Sequence, residues 1–165
     1  MKKQLLFLLV LSINFSNAQA YKGKGDIKGQ VGLNLQNGGN GIFVSSDFGI
    51  GENMSYGFTA NYILSNTATY GDTPKFGDRI DLKARFNANL GNVFKLDDKM
   101  DVYPGLDLGL RNFGLHLGFR YFFTDGFGLF TEAGTPISSY NTEAAGLQLY
   151  NNQFYFNIGA SFNLD

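Results

Sequence analysis

The sequence predicts an all-β protein: an eight-stranded antiparallel up-and-down transmembrane β-barrel, preceded by a cleaved signal peptide. Three observations predict it. The chain is rich in Gly (22), Phe (17) and Tyr (9), has only three Pro, and carries no sustained helical period after its first residues, a composition suited to strands. Its apolar residues alternate with a period of two in eight segments, the even number that a single-chain barrel requires. Sorted by parity, one face of those segments holds no charged residue.

The N-terminus reads as an export signal. Lys2 and Lys3 are followed by an apolar run from Leu5 to Ile13, too short to span a bilayer as a helix. Small residues then frame two cleavage positions. Ser16 and Ala18 stand at −3 and −1 for a cut before Gln19, and Ala18 and Ala20 do so for a cut before Tyr21. Taking 1–18 as the signal peptide and 19–165 as the barrel domain leaves 147 of the 165 residues and moves the formal charge from −1 to −3.

The eight expected strands run from Asp26 to Leu35, Ile42 to Ile50, Met54 to Leu64, Arg79 to Leu90, Met100 to Leu110, Phe113 to Phe123, Phe127 to Ala133 and Gln153 to Leu164. Gly51-Glu52-Asn53 and Thr124-Asp125-Gly126 have hairpin-turn chemistry, and Gly91 to Lys99 joins strands four and five. The other connections are Asn37-Gly38-Gly39-Asn40, the Ser65–Asp78 loop, a brief link at Arg111-Asn112 and the Gly134–Asn152 loop. With the mature N-terminus in the periplasm, the first set is periplasmic and the second faces outward. Pro104 lies inside strand five and has no N–H to give to a ladder, which predicts a bulge or a place near the rim.

The uncharged face includes Val31, Leu33, Val44, Phe58, Leu82, Phe86, Leu106, Leu108, Leu115, Leu117, Leu129 and Ile158. A lipid-facing charge near the bilayer centre costs about 2–4 kcal/mol, so a membrane-spanning sheet excludes it. The opposite face carries Lys28, Asp47, Asp81, Lys83, Arg85, Asp107, His116, Arg120 and Glu132, together with nine glycines such as Gly57, Gly105 and Gly118. Four cations face four carboxylates there, as a buried and paired network requires. Small residues beside large polar ones suit a crowded eight-stranded interior. A soluble secreted barrel, its apolar face turned inward, alternates equally well and stands as an alternative.

The absence of Cys excludes a lipid-modified N-terminal Cys, a disulfide framework, a thiolate metal site and a thiol nucleophile. The small negative charge argues against nucleic acid as a partner. One histidine and scattered carboxylates, such as Asp72 and Asp78 in the long loop, make a poor metal site. Gly23-Lys24-Gly25 and Gly38-Gly39 precede no helix and so do not cradle phosphate. No cofactor is expected.

The last segment, Asn157-Ile158-Gly159-Ala160-Ser161-Phe162-Asn163-Leu164-Asp165, resembles the C-terminal signal by which outer-membrane barrels are recognised during assembly. Its matching positions are Asn157, Gly159, Phe162 and Leu164, although the usual terminal aromatic is replaced by Leu-Asp. The whole mature chain resembles the small eight-stranded barrels of the outer-membrane protein A and X type. Its Asn-, Gly- and Phe-rich character, with Gln19 after the cut, is similar to uncharacterised outer-membrane barrels of the Bacteroidota. The resemblance implies a cell outer-membrane location, lipid as the surrounding partner and contact with the barrel assembly machinery. It implies little about activity.

The expectation is therefore a monomeric, non-enzymatic barrel with a structural or surface-interaction role and a plugged polar lumen. Eight strands enclose just enough space to be filled by side chains. Tyr70, Phe76 and Tyr140 on the outer loops read as interfacial anchors. Two alternatives remain. One is a lipid-modifying enzyme similar to the lipid A palmitoyltransferase barrel, with His116 as base beside a Ser such as Ser138 or Ser139. The other is a narrow channel for small solutes.

Overall fold

The computed structural model describes residues 19–66, 76–140 and 151–164. The signal-peptide reading of 1–18 therefore lies outside the described residues, as do Tyr70 and Asp72. Eight strands are present: β1 (Ile27–Gln36), β2 (Gly39–Gly49), β3 (Met54–Asn66), β4 (Ile80–Ala88), β5 (Met100–Gly109), β6 (Asn112–Phe122), β7 (Phe127–Ser139) and β8 (Tyr155–Asn163). One helical turn, α1 (Phe76–Arg79), precedes β4. Every strand pairs antiparallel with its sequence neighbour, and β8 closes on β1 in register from Lys28↔Asn163 to Gln36↔Tyr155. The closed barrel leaves no free sheet edge.

The strand ends differ from the sequence expectation where pairing overrides local turn chemistry. β2 begins at Gly39, because β1 pairs with it through Gln36↔Gly39 and Leu35↔Asn40. Only Asn37 and Gly38 remain as the connection, and Gly38 takes the positive φ (76°) that the turn needs. β7 continues six residues past Ala133, through a segment expected to be loop. β6 supplies it with partners up to Asn112↔Ser139, and a register shift between Phe113 and Gly114 accommodates the stretch around Pro136. Pro104 causes neither a bulge nor an end. It pairs in register with Leu117 of β6. The paired β4–β5 stretch from Lys83↔Gly109 to Asn87↔Gly105 breaks beside the proline, but Leu90 N–H donates to Val102 O at 2.9 Å beyond it in the same register.

The faces sort without exception among the strands. All nine charged strand residues, Lys28, Asp47, Asp81, Lys83, Arg85, Asp101, Asp107, Arg120 and Glu132, are buried inside the barrel. The apolar parity points outward and is largely exposed, with Leu33 at 56%, Phe58 at 58% and Leu117 at 56%. Aromatic rings gather towards both ends of this outer surface. Phe123, Phe127 and Phe162 form a chain of ring contacts at one end (6.3 and 5.7 Å), and Tyr62 meets Phe76 at the other (5.6 Å). No helix among the described residues is long and apolar enough to cross a membrane.

Candidate functional site: the barrel interior and its two closures

The lumen is filled around one aromatic ring. Tyr103 is fully buried, and two guanidiniums lie over its ring, their central carbons 5.6 Å (Arg85) and 4.7 Å (Arg120) from its centroid. This is the stacking geometry that Arg provides and Lys does not. Its hydroxyl accepts from Gln30 Nε2 at 3.1 Å, and Gln30 Oε1 accepts from Ser45 Oγ at 2.9 Å.

Carboxylates tie the two arginines together. Arg85 Nε is 3.1 Å from Asp47 Oδ1, and its Nη2 is 3.0 Å from Glu132 Oε2. Arg120 Nη2 donates to Asp101 Oδ2 and to Asn89 Oδ1, both at 2.7 Å, and its Nη1 reaches Asp47 Oδ2 at 3.9 Å. Asp47 thus bridges both cations. Away from water each of these charges is stable only because an opposite one faces it.

His116 sits on the β6 side of this network. Its Nδ1 is 2.9 Å from Asp107 Oδ1 and its Nε2 is 2.8 Å from Asn87 Oδ1. Arg85 Nε also donates to Asn87 Oδ1, which identifies that atom as the amide oxygen. Both ring nitrogens therefore face oxygen acceptors. Asn87 Nδ2 donates onward to Ser55 Oγ at 3.1 Å. Tyr155 donates to the other oxygen of Asp107 at 2.8 Å, and Lys83 Nζ lies 5.0 Å over the Tyr155 ring and 3.6 Å from Asp81.

The nine polar residues expected in the lumen are all placed there, but the expected balance of four against four is not what the interior holds. Asp101 and Asp26 are also buried, so six carboxylates face Lys28, Lys83, Arg85, Arg120 and His116. The lumen also contains rings that an account based on polar residues omits: Phe43, Tyr103, Phe122, Phe130 and Tyr155 are all buried. Their signal was present as parity, since Tyr103 alternates with Asp101 and Gly105, and Tyr155 with Asn157.

Register explains the inner glycines. Tyr103 pairs with Gly118, His116 with Gly105, and Tyr155 with Gly134. A Cβ built at those glycines would lie 2.0, 2.4 and 2.3 Å from the partner's ring atoms. Each ring thus occupies the volume that a side chain on the neighbouring strand would take.

Among the described residues, contacts reach across the barrel at both ends. At the end carrying the 50–53, 89–99 and 123–126 connections, residues 20–26 fold across the mouth. Ala20 is fully buried against Phe122, and its N–H donates to Asp98 O at 2.7 Å. The Tyr21 hydroxyl lies 2.6 Å from Met54 O and 2.9 Å from Gly51 O, and burial, then the nearby Asp26 carboxylate, push its pKa up to about 12. Asp26 pairs with Lys28, whose ammonium lies 5.4 Å over Phe122. At the opposite end Asn151, in a left-handed conformation (φ 59°), donates its N–H to Gln36 Oε1 at 2.7 Å and accepts from Asn112 Nδ2 at 2.7 Å.

The Ser residues weighed beside His116 are elsewhere. Ser138 and Ser139 lie exposed at the end of β7, and Ser139 Oγ donates to Asn152 Oδ1 at 2.7 Å. In the terminal segment, Asn157 donates to Glu132 Oε1 (3.2 Å) and accepts from Asn34 (2.7 Å). Gly159 lies against Gly32 and Val31 O, Phe162 packs at a tilt against Phe127, and Leu164 is exposed. Phe76 and Tyr140 are exposed at the loop end.

A family model matches residues 10–164, nearly the whole chain. The chain belongs to the family of unknown function DUF6646. No curated protein matches it. Among solved structures it is similar to a barrel described under "De novo design of transmembrane beta-barrels", with a TM-score of 0.56 and 10% identity over 87% of this chain and 98% of the other. At that identity the likeness is one of fold: an eight-stranded barrel of the transmembrane type shared without shared sequence.

Proposed function

We propose that this DUF6646 member is an outer-membrane β-barrel, exported by its N-terminal signal, with a structural or surface-interaction role rather than a catalytic one. The observation that carries the reading is the sorting of the wall: every charged strand residue turned inward and an exposed apolar surface turned out. Water disfavours such a surface at this size, whereas lipid requires it. Strands of nine to thirteen residues suit a tilted crossing of the hydrocarbon layer. The likeness of Asn157, Gly159, Phe162 and Leu164 to an assembly signal, on the strand that closes the barrel, supports recognition by the assembly machinery. The Asn-, Gly- and Phe-rich composition supports a Bacteroidota source and a monomer resembling the outer-membrane protein A and X barrels.

A non-catalytic role is supported by His116, whose two nitrogens are engaged by Asp107 and Asn87. The filled lumen supports a closed barrel rather than a channel. The deciding experiment is fractionation followed by gel migration with and without heating: a membrane-located, heat-modifiable band is expected, and a soluble protein overturns the reading. Purified barrel in planar bilayers is expected to be silent, and stepwise conductance would restore the channel. A folded His116→Ala variant is expected to leave lipid A acylation in the host unchanged.

A further inference from the structure

The sequence permits two cleavage positions, before Gln19 and before Tyr21, and sequence pattern alone does not choose between them. The folded barrel distinguishes the two products by the contacts each retains. Ala20 is 0% exposed, packs on the Phe122 ring, and donates its N–H to Asp98 O at 2.7 Å, which ties the N-terminal segment to the β4–β5 connection on the far side of the mouth. Tyr21, 4% exposed, is anchored to the β2–β3 turn through its hydroxyl.

A cut before Tyr21 removes the methyl group that packs on Phe122 and the Ala20 N–H bond to Asp98 O. It also places a new α-ammonium at Tyr21, which is 4% exposed, and taking a charge out of water carries a cost. A cut before Gln19 leaves both contacts whole and puts the charged terminus one residue further out, at a position that is half-buried.

We propose that the leader is removed between Ala18 and Gln19, so that Ala20 and Tyr21 remain as the stopper of the barrel's N-terminal mouth. The proposal rests on the reading of the chain as exported, and its test separates the two. The full-length chain and an Ala20→Ser variant are produced in a Gram-negative host, the heat-modifiable band is extracted from membranes, and intact masses are measured. Serine is small enough for the −1 position, so the variant leaves both cleavage positions open.

The expected result is a wild-type mass that starts at Gln19, with or without loss of ammonia from that terminal glutamine, and a variant heavier by one oxygen. A wild-type mass starting at Tyr21, with the variant's mature mass identical to it, overturns the proposal while leaving export intact. A membrane-extracted chain that still carries Met1 overturns cleavage and, with it, the export reading.

Discussion

Tyr103 shows how closely single residues are constrained in this interior. Its ring carries two guanidiniums over it, Arg85 and Arg120, and its edge fills the space over Gly118. Gly118→Ala forces a methyl group to within 2.0 Å of a ring atom that cannot retreat. It is expected to cost about 1–3 kcal/mol in urea unfolding from lipid vesicles, the usual range for overpacking. Gly126→Ala, where nothing lies within 4 Å, is the control, expected within about 0.5 kcal/mol of wild type. Arg120→Met keeps the volume but leaves Asp101 and Asp47 without this cation. A loss of about 3–5 kcal/mol is expected in the same assay, because an uncompensated buried charge remains. Adding Asp101→Asn is expected to recover part of it, and an additive second loss would show that the two residues act independently.

At the scale of elements, the seams are unequal. The β6–β7 ladder extends from Asn112↔Ser139 to Phe122↔Gly128, whereas the β4–β5 pairing is interrupted after Gly105, where Pro104 has no N–H to offer, before the Leu90 N–H bond to Val102 O resumes it. Local opening follows the distribution of backbone hydrogen bonds. Amide hydrogen exchange of the folded barrel is therefore expected to be fastest along β4–β5 among the strand pairs. Slower exchange there than along β6–β7 would mean that the short ladder is no weak point. The strand ends carry the same lesson in reverse. Gly39 to Gly41 and Gly134 to Ser139 read locally as loop, but β1 and β6 offer them partners, and pairing outweighs their weak individual preferences.

For the whole molecule, the outward apolar surface sets the behaviour in a bilayer. Leu117 lies midway along β6 and Ile137 near the loop end of β7, and both are exposed (56% and 58%). Leu117→Lys is expected to cost about 2–4 kcal/mol in vesicle refolding, and Ile137→Lys only about 0–1 kcal/mol, since the cost of a charge falls towards the interface. Equal costs at the two positions would contradict a belt that spans the membrane. Among the described residues the chain reaches across one mouth through Ala20 and Tyr21, and Asn151 bridges Gln36 and Asn112 at the other.

Much of this was legible in the sequence because a barrel obeys a local rule. A period of two assigns each residue to a face regardless of its partners, so strand number and the polar set from Lys28 to Glu132 sharing one face could be read directly. The choice of which face meets solvent is a property of the closed sheet, and only the three-dimensional arrangement decided it. The same holds for what pairs with what. That Asp47 bridges two arginines, that Tyr103 lies over Gly118, and that Ala20 reaches Asp98 depend on register between strands far apart in the chain. A single sequence carries no term for those contacts, because they are set by hydrogen bonding across the barrel and by the volume left inside it.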